Sequence, residues 1–370
     1  MRILHIGYRL PPEPGGLERH IQCLTQEQLL RGHRVVVAHR WGAAPDGAET
    51  LPVVPNRLSR AVSRKSDVVA FGMDCARALS HAGDLDVVHL HGDHREALAL
   101  GSAARRLRVP LMLTVHGALT TRHRPIMPFA FRHVDEFVAI GARPAEDLIR
   151  AGVPAHKIHT MSSGLDLDRV TWFRGRKPAE PGLIVSVGSL NKVKNHALTI
   201  EAFHELRAHR PDARLVIAGD GAERAELERL AGTGSRIRFA GHLSEDGVYS
   251  LVSRAQVFVL SSRRLPSIGE GIPTAALEAL ALGTPVIVSS DASLEPVIEP
   301  RAYRTFRSGS VAALVAQLRA VLDDETSRAQ LIERGRRAAS ALDWSLVAGR
   351  VEERYMNLMP GRPRLSTETS

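Results

Sequence analysis

The chain has 370 residues, 44% hydrophobic and 24% charged, with a net charge of +9. That length exceeds what one core usually organises, so two domains are expected. The composition is globular, no apolar run approaches the ~20 residues of a membrane span, and the scattered arginines form no nucleic-acid motif. The charge instead suits anionic sugar nucleotides or an anionic membrane surface, or reflects a composition bias toward Arg, Ala and Pro without function. In chain order, Arg2–Tyr8 is an apolar strand running into the loop PPEPGG, without the h-region and cleavage site of a signal peptide. A helix follows from about Leu17 to Leu30, then a strand at Arg34–His39. Strands at Asp86–His91 and Leu111–Val115 flank a helix over Glu96–Leu107, and Glu136–Ile140 and Ile158–Met161 complete the half. Cys23 and Cys75 read as small core residues of a cytoplasmic, reducing location rather than a disulfide or metal site.

The second half repeats the plan. Strands are expected at Leu183–Val187, Arg214–Ala218, Ile237–Ala240, Val257–Leu260 and Pro285–Val288. Helices are expected near Ala197–His209, Ala222–Ala231, Glu245–Arg254 and Pro273–Leu282. Apolar strands alternating with helices give an α/β chain with doubly wound parallel sheets. The polar, Pro- and Gly-rich stretch 172–182 reads as the linker between domains 1–171 and 183–342. A last helix is expected over 343–359, and a disordered tail over 360–370.

Residues 269–290, GEGIPTAALEALALGTPVIVSS, carry the densest signal. They read as a loop, a helix with Pro273 in its first turn, a Gly283 stop and a buried strand. A helix N-terminus attracts an anion. Glu270 and Glu278, on either side of it, suit hydroxyl groups attached to that anion, as in a sugar diphosphate; two solvated glutamates are the alternative. Gly15 and Gly16, between the first strand and helix, let the backbone approach a diphosphate, or form a simple tight turn. Two of the chain's five lysines, Lys192 and Lys194, fall in NKVKN, by chance or because a compact ammonium suits a phosphate reached at a narrow point. His116 follows the strand Leu111–Val115, poised toward the ligand end of the sheet, or is a buried, satisfied structural histidine. His89, His91 and His94 cluster with Asp93, but no second ligand set supports a metal, and none is expected.

Five segments in order, PPEPGGLERH, TVHG at 114–117, VGSLNKVKN at 187–195, AGDGAERAELERL at 218–230 and the Glu-seven-residues-Glu run, resemble the retaining GT-B glycosyltransferases of family 4. The likeness extends from Arg2 to about Met359. It implies two Rossmann-like domains facing a cleft, the first binding acceptor and the second nucleotide sugar, with the final helix crossing back to the first. It implies transfer of a sugar from an NDP-sugar, UDP above all, to an acceptor hydroxyl, with no metal or other cofactor. Lys194 would hold the diphosphate with the backbone of Gly271, Ile272, Pro273 and Thr274. Glu278 would hold the ribose, Glu270 and His116 the transferred sugar, and the Gly241–Leu243 backbone would frame the base. His116, Glu270 and Lys194 are thus the expected catalytic residues, with Gly15 and Gly16 near the donor phosphates or the acceptor. Ser189 stands where the family usually has an arginine, and Lys192 would supply the missing charge. Ser163-Gly164 replaces the family's Asn-Gly at a turn.

The acceptor is left open between a small polyol or aminocyclitol, near Glu13, Asp93 and His94, and a lipid-linked saccharide. Segment 120–133, with Arg57–Lys65, mixes basic and apolar residues and suits either peripheral contact with an anionic inner membrane face or a solvated helix. A monomer or a homodimer fits equally, and nucleic acid is not an expected partner. The alternatives are a sugar-nucleotide epimerase on the same fold and a nucleotide-sugar-binding module without catalysis.

Overall fold

The computed structural model describes residues 1–12, 15–266 and 269–359, which form two compact units. Glu13 and the tail from residue 360 lie outside the described residues. Unit 1 comprises Met1–Gly164 and the returning segment from Trp344; unit 2 is Leu165–Asp343.

Unit 1 runs β1 (Arg2–Arg9), α1 (Gly16–Leu30), β2 (Arg34–Trp41), β3 (Glu49–Thr50), α2 (Arg57–Ser63), α3 (Asp67–Ala78), β4 (Val87–His91), α4 (His94–Leu107), β5 (Leu111–Val115), α5 (Met127–Phe131), β6 (Glu136–Ile140), α6 (Ala142–Arg150) and β7 (Ile158–Met161). Its seven strands pair in parallel in the order β3-β2-β1-β4-β5-β6-β7. Strands buried on both faces are near-continuous apolar runs, and β4 and β5 are buried along their whole length. The exceptions are polar residues set in register: His5 opposite His89, and His91 opposite Thr114.

Unit 2 runs α7 (Leu167–Phe173), β8 (Leu183–Val187), α8 (His196–Arg207), β9 (Arg214–Ala218), α9 (Arg224–Ala231), β10 (Ile237–Gly241), α10 (Glu245–Val252), β11 (Val257–Leu260), α11 (Thr274–Leu282), β12 (Val286–Ser289), β13 (Arg304–Phe306), α12 (Val311–Asp323) and α13 (Glu325–Ala339). Its six parallel strands are ordered β10-β9-β8-β11-β12-β13. Leucine, isoleucine and phenylalanine from α8, α12 and the central strands make its core. Both sheets are Rossmann-like, as the alternation of strands and helices predicts.

The stretch 172–182 lies within unit 2, and the division falls instead between Gly164 and Leu165. Its polar side chains are fastened: the Arg174 guanidinium donates to the Ala281 carbonyl at 2.9 and 2.6 Å, and Glu180 pairs with Arg214 and Arg254. Composition marks such a stretch as a linker because it cannot show where charged groups find partners.

The last helix, α14 (Trp344–Leu358), belongs to unit 1. Its Tyr355 is fully buried, and Glu352 pairs with Arg31 of α1 at 2.9 Å. Trp344 packs on Gly164, where a Cβ would sit 2.4 Å from the indole ring. Replacing Gly164 with alanine should therefore cost about 1–3 kcal/mol through overpacking. Thermal unfolding should show a lowered midpoint, and a wild-type midpoint would contradict this packing.

Candidate functional site

In unit 2 the loop between β8 and α8 is pinned by its own polar side chains. Asn191 Oδ1 accepts the backbone N–H groups of Val193 and Lys194, both at 3.0 Å. Asn195 takes the left-handed conformation (φ 52°) that starts α8. Ser261 Oγ lies 3.2 and 2.7 Å from the carbonyl oxygens of Lys194 and Asn195. Arg263, which the sequence did not single out, donates through Nε to the Lys192 carbonyl at 2.9 Å. The loop thus delivers the Lys194 ammonium to the Glu270 carboxylate, and the two form a largely buried ion pair. The other carboxylate oxygen, Glu270 Oε2, is buried and has no hydrogen-bond partner among the described residues. An orphaned buried acceptor costs about 1–3 kcal/mol unless a donor arrives.

Just after Glu270, Gly271, Ile272, Pro273 and Thr274 lead into α11. Pro273 is the N-cap (φ −73°, ψ 113°), one residue earlier than the expected first-turn place, and no side chain caps this helix. Its first-turn amides therefore lack the usual side-chain acceptor. Glu278, one turn further on, is buried, and accepts from the Tyr249 hydroxyl at 3.1 Å. That hydroxyl also lies 2.9 Å from Glu245 Oε1, and its single proton serves only one carboxylate at a time. Tyr249 escaped the sequence reading, though its spacing from Glu245 on α10 is the i,i+4 of helix neighbours. Ser189 and Lys192 are exposed on the Lys194 loop, and Leu243 is half-buried just after β10.

In unit 1, β1, β4, the residue after β5 and α1 bring together five imidazoles: His5, His20, His89 and His91, which are buried, and His116, which is half-buried. His5 Nε2 is 2.7 Å from Gln28 Oε1, and His5 Nδ1 is 2.9 Å from His91 Nε2. His91 Nδ1 is 3.3 Å from His116 Nε2. His89 bonds Tyr355 at 2.5 Å and Thr114 at 2.6 Å, and His20 Nδ1 lies 2.9 Å from Ser163 Oγ. Burial lowers every ring's pKa, to about 4 for His5, to about 3 for His116, and well below the ordinary value for His20, His89 and His91, where neighbouring rings add to the effect. All five are neutral near pH 7.

His91 and His116 also line an open pocket of about 260 Å³, together with Tyr8, Glu18, Asp93 and Glu96. Asp93 caps α4, accepting the Arg95 N–H at 2.8 Å and pairing with its guanidinium at 2.7 Å. Burial and the neighbouring Asp93 push Glu96 up to about 8, so it holds its proton at neutral pH. His94 leaves this group: its Nε2 lies 3.0 Å from His123 Nδ1. The sequence grouping of His89, His91, His94 and Asp93 is thus split, and His5 and His20, far away in the chain, take their places. Gly15 is the N-cap of α1, where a Cβ would collide with the Glu18 carboxylate, and Gly16 begins the helix with open space at its Cα.

Residues 171–338 match the family model described as glycosyl transferases group 1, and residues 14–169 match that described as Glycosyltransferase Family 4. Over 410 residues the chain is 28% identical to the glycogen synthase of Mycobacterium tuberculosis, covering 99% of this chain and 98% of that one. Over 380 residues it is 27% identical to the phosphatidyl-myo-inositol mannosyltransferase of the same species, covering 92% and 93%. Its fold is similar to that of Anabaena HepE, solved in complex with UDP, with a TM-score of 0.76 at 17% identity over 96% of this chain and 100% of that one.

The neutral imidazoles set a direction for acid stability. An unfolded histidine titrates near 6.5, and these rings titrate lower when folded, at about 4 for His5 and about 3 for His116. Their contribution is complete above about pH 6.5 and is lost as pH falls toward about 4 for His5 and about 3 for His116, because the unfolded chain then binds more protons. Each ring adds at most about 1.4 kcal/mol per pH unit. Denaturant midpoints should fall steeply through this window, and a flat profile would contradict the burial.

Proposed function

We infer the reaction from one premise: this chain belongs to the family 4 glycosyltransferases, enzymes of the GT-B class. We propose that it transfers a sugar, with retention of anomeric configuration, from a UDP-sugar to an acceptor hydroxyl. The observation that carries the reading is the Lys194–Glu270 pair with its orphaned carboxylate oxygen. Such a pair holds a cation and a hydroxyl acceptor side by side, as a sugar diphosphate requires. The complexes of HepE with UDP and with UDP-glucose support the choice of nucleotide.

In this reading the diphosphate draws the Lys194 ammonium from Glu270 and also meets the amides of Gly271–Thr274. Glu270 is released to accept sugar hydroxyls, including one at Oε2. Glu278 accepts from the ribose, with Tyr249 holding its carboxylate, and the backbone around Leu243 frames the base. Lys192 adds the charge that Ser189 lacks. His116 contacts the transferred sugar. The acceptor attacks C1 on the face the diphosphate leaves: the C1–O bond to phosphate breaks, the C1–O bond to the acceptor forms, and the acceptor's proton passes to the departing phosphate oxygen. Ammonium and amide donors take the role that a divalent ion has elsewhere, so no metal is required.

The acceptor lies in unit 1, where Asp93, Glu18 and neutral Glu96 beside the pocket suit a polyol or the sugar end of a lipid-linked saccharide. We place the protein in the cytoplasm. Among the described residues no helix is long and apolar enough to cross a membrane. The exposed Ile126 and Phe129, beside Arg122 and Arg124, are the surface suited to peripheral membrane contact.

A panel of sugar nucleotides, with NDP release as readout, identifies the donor. Lys194→Ala should lower kcat by about 10²–10³-fold, the cost of one preorganised donor to the leaving group. Glu278→Ala should act mainly on the donor KM. Turnover should survive a chelator. Unchanged turnover in a Lys194→Ala, Glu270→Ala double variant would refute the site.

A further inference from the structure

We propose that His20, His91 and His116 form a binding site for one transition-metal ion, zinc foremost, at the wall of the unit 1 pocket. One nitrogen from each ring lies within 4.8 Å of the others. His91 Nδ1 and His116 Nε2 are 3.3 Å apart. Two imidazole nitrogens bound to zinc at ~2.0–2.1 Å with tetrahedral angles are separated by about the same distance. The His20 and His116 rings meet nearly edge-on, with centroids 4.7 Å apart, so the third ligand approaches from a different direction.

The far sides of the rings support the assignment. A zinc-bound imidazole fixes its orientation by giving its other N–H to a second partner. His20 Nδ1 has Ser163 Oγ at 2.9 Å. His91 Nε2 has His5 Nδ1 at 2.9 Å, and His5 in turn donates its Nε2–H to Gln28 Oε1 at 2.7 Å. The one bond an ion would replace here is the long 3.3 Å contact between His91 Nδ1 and His116 Nε2, and both rings are neutral. The neighbouring triad of His5, His89 and His91 is not equivalent. Its His5 is held by Gln28 and His91, and its His89 by Tyr355 and Thr114, so an ion there would break bonds already made. Because His91 and His116 line the pocket, a fourth position opens to water or to a small ligand.

Three imidazoles suit zinc, copper, nickel or cobalt and do not suit magnesium, which takes oxygen ligands. The ion is therefore a transition metal rather than magnesium. Resting on the transferase reading, it would occupy the His116 ring needed by the donor sugar, and zinc would inhibit transfer.

The test uses the full chain, stripped with a chelator and titrated with zinc chloride against a chromophoric chelator, and separately with cobalt(II). The expected result is one zinc per chain and the intense visible spectrum of tetrahedral cobalt. His20→Ala, and His20→Gln, which keeps a hydrogen bond toward Ser163, should lose the site while circular dichroism reports a folded chain. Ser163→Ala should weaken zinc by about 10–100-fold. His156→Ala, exposed and remote in sequence, should bind as wild type. Absence of stoichiometric zinc from the folded wild type, or zinc binding unaltered in both His20 variants, would overturn the proposal. Zinc binding without sugar-nucleotide turnover would refute the transferase reading alone, and turnover without zinc binding would refute the metal site alone.

Discussion

The ion pair between Lys194 and Glu270 is the constraint on which the rest of unit 2's site depends. A lysine ammonium and a carboxylate, both mostly withdrawn from water, are each expensive alone and tolerable together. The surrounding structure exists to hold them: Asn191 folds the loop, Asn195 turns it into α8, and Ser261 ties its carbonyls down. The pair leaves one carboxylate oxygen unanswered. A site built this way is at rest but not satisfied, and an anion carrying hydroxyl groups resolves both halves of the imbalance at once.

Unit 1 solves a different problem. Parallel strands buried on both faces normally exclude polar side chains, yet β1, β4 and β5 bury His5, His89, His91 and Thr114. They are tolerated because they pair with one another and with Gln28 and Tyr355 from the covering helices α1 and α14. The return of α14 to unit 1 thus serves the polar core as well as the apolar one: Tyr355 supplies the partner of His89 Nδ1, while Thr114 holds Nε2. The outermost rings, His91 and His116, are the ones that reach the pocket.

Much of the fold was legible in the letters. β5, β6, β7, β8, β9 and β11 fall on the expected residues, and β5, β6, β8 and β9 do so as short apolar runs bounded by Gly or Pro. The rare Lys194 and the acid Glu270, both singled out in the letters, do meet in one ion pair. Three things were not legible. The tie of residues 172–182 to unit 2 depends on arginines reaching carbonyls and carboxylates far along the chain. Tyr249 looked like one more helix residue, although it fixes Glu278. The imidazole cluster depends on strand register, since His5 meets His89 only when β1 lies beside β4, and His20 joins them only through α1. Side-chain partners across long sequence separations are set by packing, and local pattern does not encode them.

The central claim is that one lysine is handed from a carboxylate to a diphosphate. A crystal structure of the full chain with an intact UDP-sugar tests it most directly. The account predicts the Lys194 ammonium on a diphosphate oxygen and the Glu270 carboxylate accepting from the sugar's hydroxyls. Lys194 still paired with Glu270, with the diphosphate bound elsewhere, would contradict it.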